Sequence, residues 1–85
     1  MENRVAVVSI IVENTEAAER INAILHEYNE CIIGRMGIPY RKRQINLICV
    51  ALDASQNIIS SMAGKIGELD GVSVKTAYSS AVYQD

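Results

Sequence analysis

The chain has 85 residues, 49% of them hydrophobic, and a formal net charge of −2 at pH 7. Composition of this kind predicts one domain over residues 1–85, and a domain this small buries only about 60 to 65% of its unfolded surface. The acidic balance argues against general affinity for nucleic acid or anionic membranes. The longest apolar run, residues 5–12, is also far shorter than the roughly 20 residues that a membrane span requires.

The first residues and the cysteine count predict the compartment. Residues 1–4 lead directly into a β-branched run, without the pattern of a secretory signal. Cys31 and Cys49 are too few for a disulfide scaffold and fit a reducing environment. We therefore expect a cytoplasmic protein.

The first half of the chain predicts a strand, a helix and a hairpin. Residues 4–12 are rich in valine and isoleucine, as strands are. Asn14 is a candidate N-cap, and the apolar residues that follow recur at helical spacing: Ala17, Ile21, Leu25 and Tyr28. Residues 31–38 and 44–52 predict two further strands, and residues 39–43 are too few for a crossover, so these strands form an antiparallel hairpin.

The second half predicts a helix, a strand and a tail. Asp53 or Ser55 can cap a helix that ends at Asp70 and Gly71. Its apolar stripe consists of Ile58 or Ile59, Met62, Ile66 and Leu69. Gly64 and Gly67 each cost about 1 kcal/mol in a helix interior, which predicts either fraying or a close backbone approach. Residues 72–78 alternate as a fourth strand, which closes a core at about residues 4–78, and residues 79–85 form an unassigned tail.

The order βαββαβ predicts an α+β, ferredoxin-like sandwich: a four-stranded antiparallel sheet of order 4132 with both helices on one face. Strands one and three are apolar at almost every position, as expected for central strands buried on both sides. Because the helices cover only one face, a second copy most simply covers the other. We expect a homodimer or a dimer of dimers.

The segment 34–43 holds four of the eight basic residues and the only proline. Gly34 and Gly37 are spaced as in the G-x-x-G loop of KH domains, but that loop joins two helices and Pro39 is followed by a strand. One interpretation is a solvated turn whose charges prevent edge-to-edge aggregation. The other is an anion or partner contact through Arg35, Tyr40, Arg41, Lys42 and Arg43. Aromatic stacking platforms are scarce, which argues against a nucleic-acid interface.

Metal binding and catalysis have little support in the residue pattern. A hairpin centred near Tyr40 would place Cys31 almost opposite Cys49, with His26 near in sequence. These three residues are the alternative to the simpler prediction of core cysteines without metal. The single histidine has no nucleophile partner, and no glycine-rich phosphate loop follows strand one. We predict no cofactor and no enzymatic activity.

The run 32–40, Ile-Ile-Gly-Arg-Met-Gly-Ile-Pro-Tyr, together with residues 23–28 and 71–75, resembles the family of proposed iron-only hydrogenase system regulators. The resemblance covers about residues 4–78. It implies an ACT-like domain of ferredoxin-like fold, related to the regulatory domain of nickel-responsive repressors. It also implies a regulatory role linked to iron-only hydrogenase expression or maturation.

By analogy with ACT domains, a small effector would bind near the turn after strand one, at Glu13, Asn14 and Thr15. That turn lacks the glycine usual in amino-acid-binding ACT domains, and His26 alone cannot form the histidine-rich nickel site of the repressors. The chain also starts its first strand at once, without a ribbon-helix-helix segment, so a transcriptional role would act through a partner. The expected function is a regulatory module that binds a small ligand or a partner protein. The alternatives are a purely structural oligomeric subunit and a nucleic-acid binder acting through the basic hairpin tip.

Overall fold

Four long strands and two helices follow one another in the order βαββαβ, with a short fifth strand after them. The computed structural model describes residues 2–84. The strands and helices are β1 (Glu2–Val12), α1 (Ala18–Glu27), β2 (Ile32–Tyr40), β3 (Ile45–Ala54), α2 (Gln56–Gly67), β4 (Val72–Tyr78) and β5 (Tyr83–Gln84). Single 3₁₀ turns occur at Thr15–Ala17, Asn29–Cys31 and Arg41–Arg43.

The main sheet has the strand order β2-β3-β1-β4, and every neighbouring pair is antiparallel. This confirms the predicted order 4132 and the ferredoxin-like α+β fold. The tail, which the sequence left unassigned, contributes to the sheet as far as residue 84, and Asp85 lies outside the described residues. Ser79 exchanges hydrogen bonds with Val5, and β5 pairs with Glu2 and Asn3 at the start of β1.

The core lies between the helices and one face of the sheet. Every second residue of β1 points into it, which is the period of a strand with one face against a core. The largest fully buried side chains from the strands and helices are Val8, Ile10, Val12, Val50, Leu52, Ile21, Leu25, Ile59, Met62 and Ile66. Both predicted helical stripes are therefore confirmed, with Ile59 and not Ile58 as the inward residue of α2.

The structure decides between the two predicted N-caps of α2 and corrects the predicted end of this helix. Ser55 is the N-cap, and its Oγ accepts a hydrogen bond from the Ile58 backbone N–H at 3.3 Å. Asp53 lies inside β3. The helix ends at Gly67, before the predicted Asp70, because Leu69 donates to the Ile66 carbonyl (3.1 Å) in a tightened last turn.

The two helical glycines do not mark a close approach of the backbone. A Cβ added to Gly64 would meet nothing within 4 Å, and one added to Gly67 would make only an ordinary contact with Val74. The predicted close approach is wrong. Gly67 is the last helical residue, which agrees with the alternative that the helix loosens there.

Polar side chains join the helices on their outer surface. The Tyr28 and Ser61 hydroxyls lie 3.2 Å apart, and the Lys65 ammonium lies 5.1 Å from the Tyr28 ring centre and 3.4 Å from Glu27. The hydrogen bond with Ser61, followed by that with Lys65, lowers the pKa of Tyr28. The hydrogen bond with Tyr28, followed by that with Glu27, raises the pKa of Lys65. These groups are solvated, so their contribution to stability is small.

Neither helix in residues 2–84 has the length and apolarity to cross a membrane.

Two turns are locked together at the end of the sheet. Gly71 has a φ of +73°, and a Cβ placed on it would come within 2.7 Å of the Asn14 Cβ. Its carbonyl accepts a hydrogen bond from the Glu13 N–H at 2.7 Å. The turn after β1 thus packs directly on the turn before β4, and only glycine fits there.

Two alanine substitutions should therefore have opposite effects on stability. Gly71→Ala places a side chain in the left-handed region and against Asn14, and we expect it to lower the free energy of unfolding by about 1 to 2 kcal/mol or more. Gly64→Ala adds a methyl group in open space within α2 and should raise that energy by about 0.5 to 1 kcal/mol. Urea unfolding at one fixed protein concentration measures both. Equal effects of the two substitutions would contradict the described turn.

Candidate functional site

The first candidate site is the face of the sheet opposite the helices, called here the open face. The strand register places on it the alternate residues Val5, Val7, Ser9 and Ile11 of β1; Ile45, Leu47, Cys49, Ala51 and Asp53 of β3; Gly34, Met36, Ile38 and Tyr40 of β2; and Ser73, Lys75 and Ala77 of β4. Most of these side chains are apolar. Neither α1 nor α2 covers them, since the core lies on the other face.

Five large side chains of the open face are substantially exposed. The exposed fractions are 39% for Val7, 44% for Ile11, 57% for Met36, 48% for Ile38 and 44% for Tyr40. Three of them, Ile11, Met36 and Ile38, border a shallow concavity of about 250 Å³ between β1 and β2, whose floor is formed by β3. Such a surface can bind another apolar surface.

The second candidate is a polar concavity of about 410 Å³ at the end of the sheet, called here the tip concavity. The hairpin loop between β2 and β3 forms it together with the turn after β1. Its lining residues are Thr15, Pro39, Tyr40, Arg41, Gln44, Ile45 and Asn46. The tip concavity joins one residue of the predicted effector turn, Thr15, to two of the predicted anion contacts, Tyr40 and Arg41.

The basic residues of segment 34–43 separate into two places. Arg41, Lys42 and Arg43 form the exposed hairpin turn, and among residues 2–84 no carboxylate lies within salt-bridge distance of them. Gln44 closes this turn in the left-handed conformation, with a φ of 56°. Arg35 lies apart from the turn, on the helix side of β2, where its guanidinium donates to Asn22 Oδ1 at 2.8 Å. Gly34 and Gly37 lie within β2 and not between helices, as the sequence predicted.

Within the predicted effector turn, Asn14 has a structural role. Its Oδ1 accepts the Glu16 backbone N–H at 3.1 Å, and its Nδ2 donates to the Asp70 carbonyl at 3.4 Å. The backbone N–H of Glu13 donates a hydrogen bond to the Gly71 carbonyl, while the Glu13 side chain is exposed. Thr15 is the residue of this turn that lines the tip concavity. The predicted N-cap role of Asn14 is confirmed for the 3₁₀ turn that precedes α1, whereas α1 itself follows Ala17 and has no side-chain cap.

The sequence predicted that Cys31 and Cys49 lie opposite each other, and this prediction is wrong. The partner of Cys49 on β2 is Met36, and Cys31 belongs to the 3₁₀ turn that precedes β2. The error has a physical reason: the loop spans residues 41–44 and the last pair is Tyr40 with Ile45, so the hairpin centre lies beyond Tyr40. His26 is exposed on α1. Among residues 2–84 there is no cluster of three or more histidine, cysteine, aspartate or glutamate side chains that could hold a metal ion.

Sequence reasoning missed Pro39, Gln44, Ile45 and Asn46 as lining residues of the tip concavity. No local pattern marks them, because they meet Thr15 only after the hairpin folds over the turn. The apolar alternation of Met36, Ile38 and Tyr40 was visible in the sequence and could have located the open face on β2.

Asn14→Ala should lower the free energy of unfolding by about 1 kcal/mol, because it removes the hydrogen bond that caps the first turn of the helical segment. The matched control is Thr15→Ala, one residue away in the same exposed turn, which should change that energy by less than about 0.5 kcal/mol. Chemical denaturation measures both. A loss in Thr15→Ala as large as in Asn14→Ala would contradict these roles.

Comparisons with known proteins give the family. No curated protein matches the chain. The solved structure of the uncharacterized protein TM1266 from Thermotoga maritima has a TM-score of 0.85 at 31% identity, and the match covers 89% of this chain and 96% of that one. A formyltetrahydrofolate deformylase from Pseudomonas putida KT2440 matches with a TM-score of 0.62 at 11% identity, over 86% of this chain and 28% of the enzyme. The second likeness is one of fold alone.

The TM1266-like family model, described as "Iron-only hydrogenase system regulator, putative", matches residues 4–76. This match includes the segment 32–40, on which the resemblance was based, and most of the sheet that forms both candidate sites. The chain belongs to the TM1266-like family.

Proposed function

We propose that this protein is a cytoplasmic, ACT-like regulatory module that binds a small acidic ligand in the tip concavity and has no enzymatic activity. The family description supports regulation in an iron-only hydrogenase system. The observation that carries the ligand proposal is the meeting of Thr15 with Tyr40 and Arg41 around one concavity. Two segments that the sequence marked separately thus contribute to a single site.

The chemistry of the lining favours a carboxylate or phosphate group. Arg41 supplies a guanidinium that has no carboxylate partner among the described residues, and no lining residue is acidic. Guanidinium groups bind carboxylate and phosphate with paired hydrogen bonds. The Thr15 hydroxyl and the Asn46 amide can complete the hydrogen bonding of such a ligand.

Binding without turnover fits the same lining. None of the described lining side chains is a histidine, a cysteine, an aspartate or a glutamate, so the concavity lacks the residue types that most often act as general bases. Release of the intact ligand is then the end of each binding event, as expected for a sensor.

A purely structural interaction subunit is the second candidate, and the exposed apolar side chains of the open face favour it. This candidate predicts assembly without any stabilising metabolite. A nucleic-acid binder, in contrast, would show an affinity that falls steeply with salt and is lost when Arg41, Lys42 and Arg43 are all replaced by alanine.

A thermal-shift screen tests the proposal with small carboxylates, amino acids, phosphates, nucleotides and divalent metal ions. A true ligand at 100 times its dissociation constant should stabilise the protein by about 2.7 kcal/mol. Arg41→Ala should abolish this stabilisation, because Arg41 is the only cation among the described lining residues.

The matched control is Arg43→Ala, which removes the same charge from the same turn but lies outside the lining. It should keep the ligand-induced shift. Equal losses in both variants would mean that the ligand binds through the overall charge of the hairpin turn and not in the tip concavity. Absence of any stabilising compound would overturn the ligand proposal in favour of the structural subunit.

A further inference from the structure

We propose that the open face docks against the open face of a second copy of this chain, in a two-fold pair whose register is set by Lys75 of each protomer and Asp53 of the other. This interface is separate from the tip concavity and does not depend on a ligand being bound there. Three features of the open face support this pairing: its apolar content, the positions of its two charges, and the symmetry that those positions allow.

The apolar content of the open face fits the centre of an interface. Five of its large side chains are between 39% and 57% exposed. Four strands about 4.8 Å apart and at least seven residues long give a footprint of about 20 by 25 Å. A footprint of about 500 Å² is comparable to the largest apolar patch on a typical monomer, and a patch of that size is often an interaction site.

The open face carries two charged residues among those that the strand register places on it, and they have opposite signs. Lys75 lies on β4 opposite Ser9, and Asp53 lies on β3 opposite Val5. Both are exposed, and neither side chain has a hydrogen bond or ion pair within the described chain. Charges are normally depleted at interface centres, so an unmatched pair here would be costly unless a partner supplied the complement.

The two charges are too far apart to pair within one chain. They are separated by four residues along the strands, about 13 Å, and by two strand spacings, about 10 Å. A second copy related by a two-fold axis can bring both into contact, because such an interface is self-complementary: Lys75 meets the second copy's Asp53, and Asp53 meets its Lys75. The interface then contains two Lys75–Asp53 ion pairs, related by the two-fold axis.

This pairing also fixes where the axis lies. The midpoint between Lys75 and Asp53 falls at Val7, on the strand between them. In a flat approximation, the line perpendicular to the Lys75–Asp53 direction runs from Val7 across β3 to Met36 on β2. Met36 then meets its own counterpart on the axis. The strands of the two sheets cross at a steep angle, in the orthogonal class of sheet packing.

Sedimentation equilibrium of the full chain tests this interface through charge exchange. The wild type should form a dimer at micromolar concentration. Lys75→Glu and Asp53→Lys should each raise the dimer dissociation constant by tenfold or more, because each brings like charges together in the pair. The double variant restores opposite charges and should return the constant to within about threefold of the wild type.

Two controls separate the interface from folding and from net charge. Lys42→Glu makes the same change of charge as Lys75→Glu in the hairpin turn, and it should leave the dimer unchanged. Circular dichroism should show that the single variants remain folded. A monomeric wild type, single variants that dimerise as the wild type does, or a double variant no better than the single ones would each overturn the proposal. None of these outcomes bears on the ligand screen with Arg41→Ala.

Discussion

Both faces of β1 and β3 are apolar, yet the two helices can cover only one of them. This constraint organises the molecule. On the covered face, Val8 and Val50 are fully buried against the helices, and no polar side chain in residues 2–84 is buried with them. On the other face, Val7 and Ile11 remain partly exposed on the same strand. Burial of apolar surface is the main stabilising contribution in a domain of this size, and on the open face part of that surface stays exposed in the single chain.

The second organising feature is the end of the sheet, where three turns meet. Gly71 allows the turn before β4 to pack on Asn14, and Asn14 in turn caps the segment that leads into α1. This arrangement fixes Thr15 beside the hairpin loop, where Arg41 lies. Asn14 therefore has a structural role, while the neighbouring Thr15 side chain can contact a ligand. A regulator can use such a division, because ligand contacts then form without disturbing the core.

The fold could be predicted from the sequence because each of its signals is local or periodic. The valine-rich run of β1, the helical stripe at Ile21 and Leu25 and the short hairpin connection leave few topologies open. The hairpin register could not be predicted, because it depends on Gln44 adopting a left-handed conformation that glutamine does not signal. The wrong register is the reason that the sequence placed Cys31 opposite Cys49, whose partner in the structure is Met36. The tip concavity was missed for a related reason, since it forms between segments about 25 residues apart in sequence.

Family membership and geometry together favour a regulator that acts through surfaces: one apolar, for a second copy, and one polar, for a ligand. The apolar surface is the central claim, and intermolecular NOEs test it most directly. In a mixture of isotope-labelled and unlabelled protein, the Met36 methyl group should show cross-peaks to open-face side chains of the other protomer, including Met36 itself. Cross-peaks at exposed helix residues such as Ile58, or no intermolecular cross-peaks at millimolar concentration, would contradict the account.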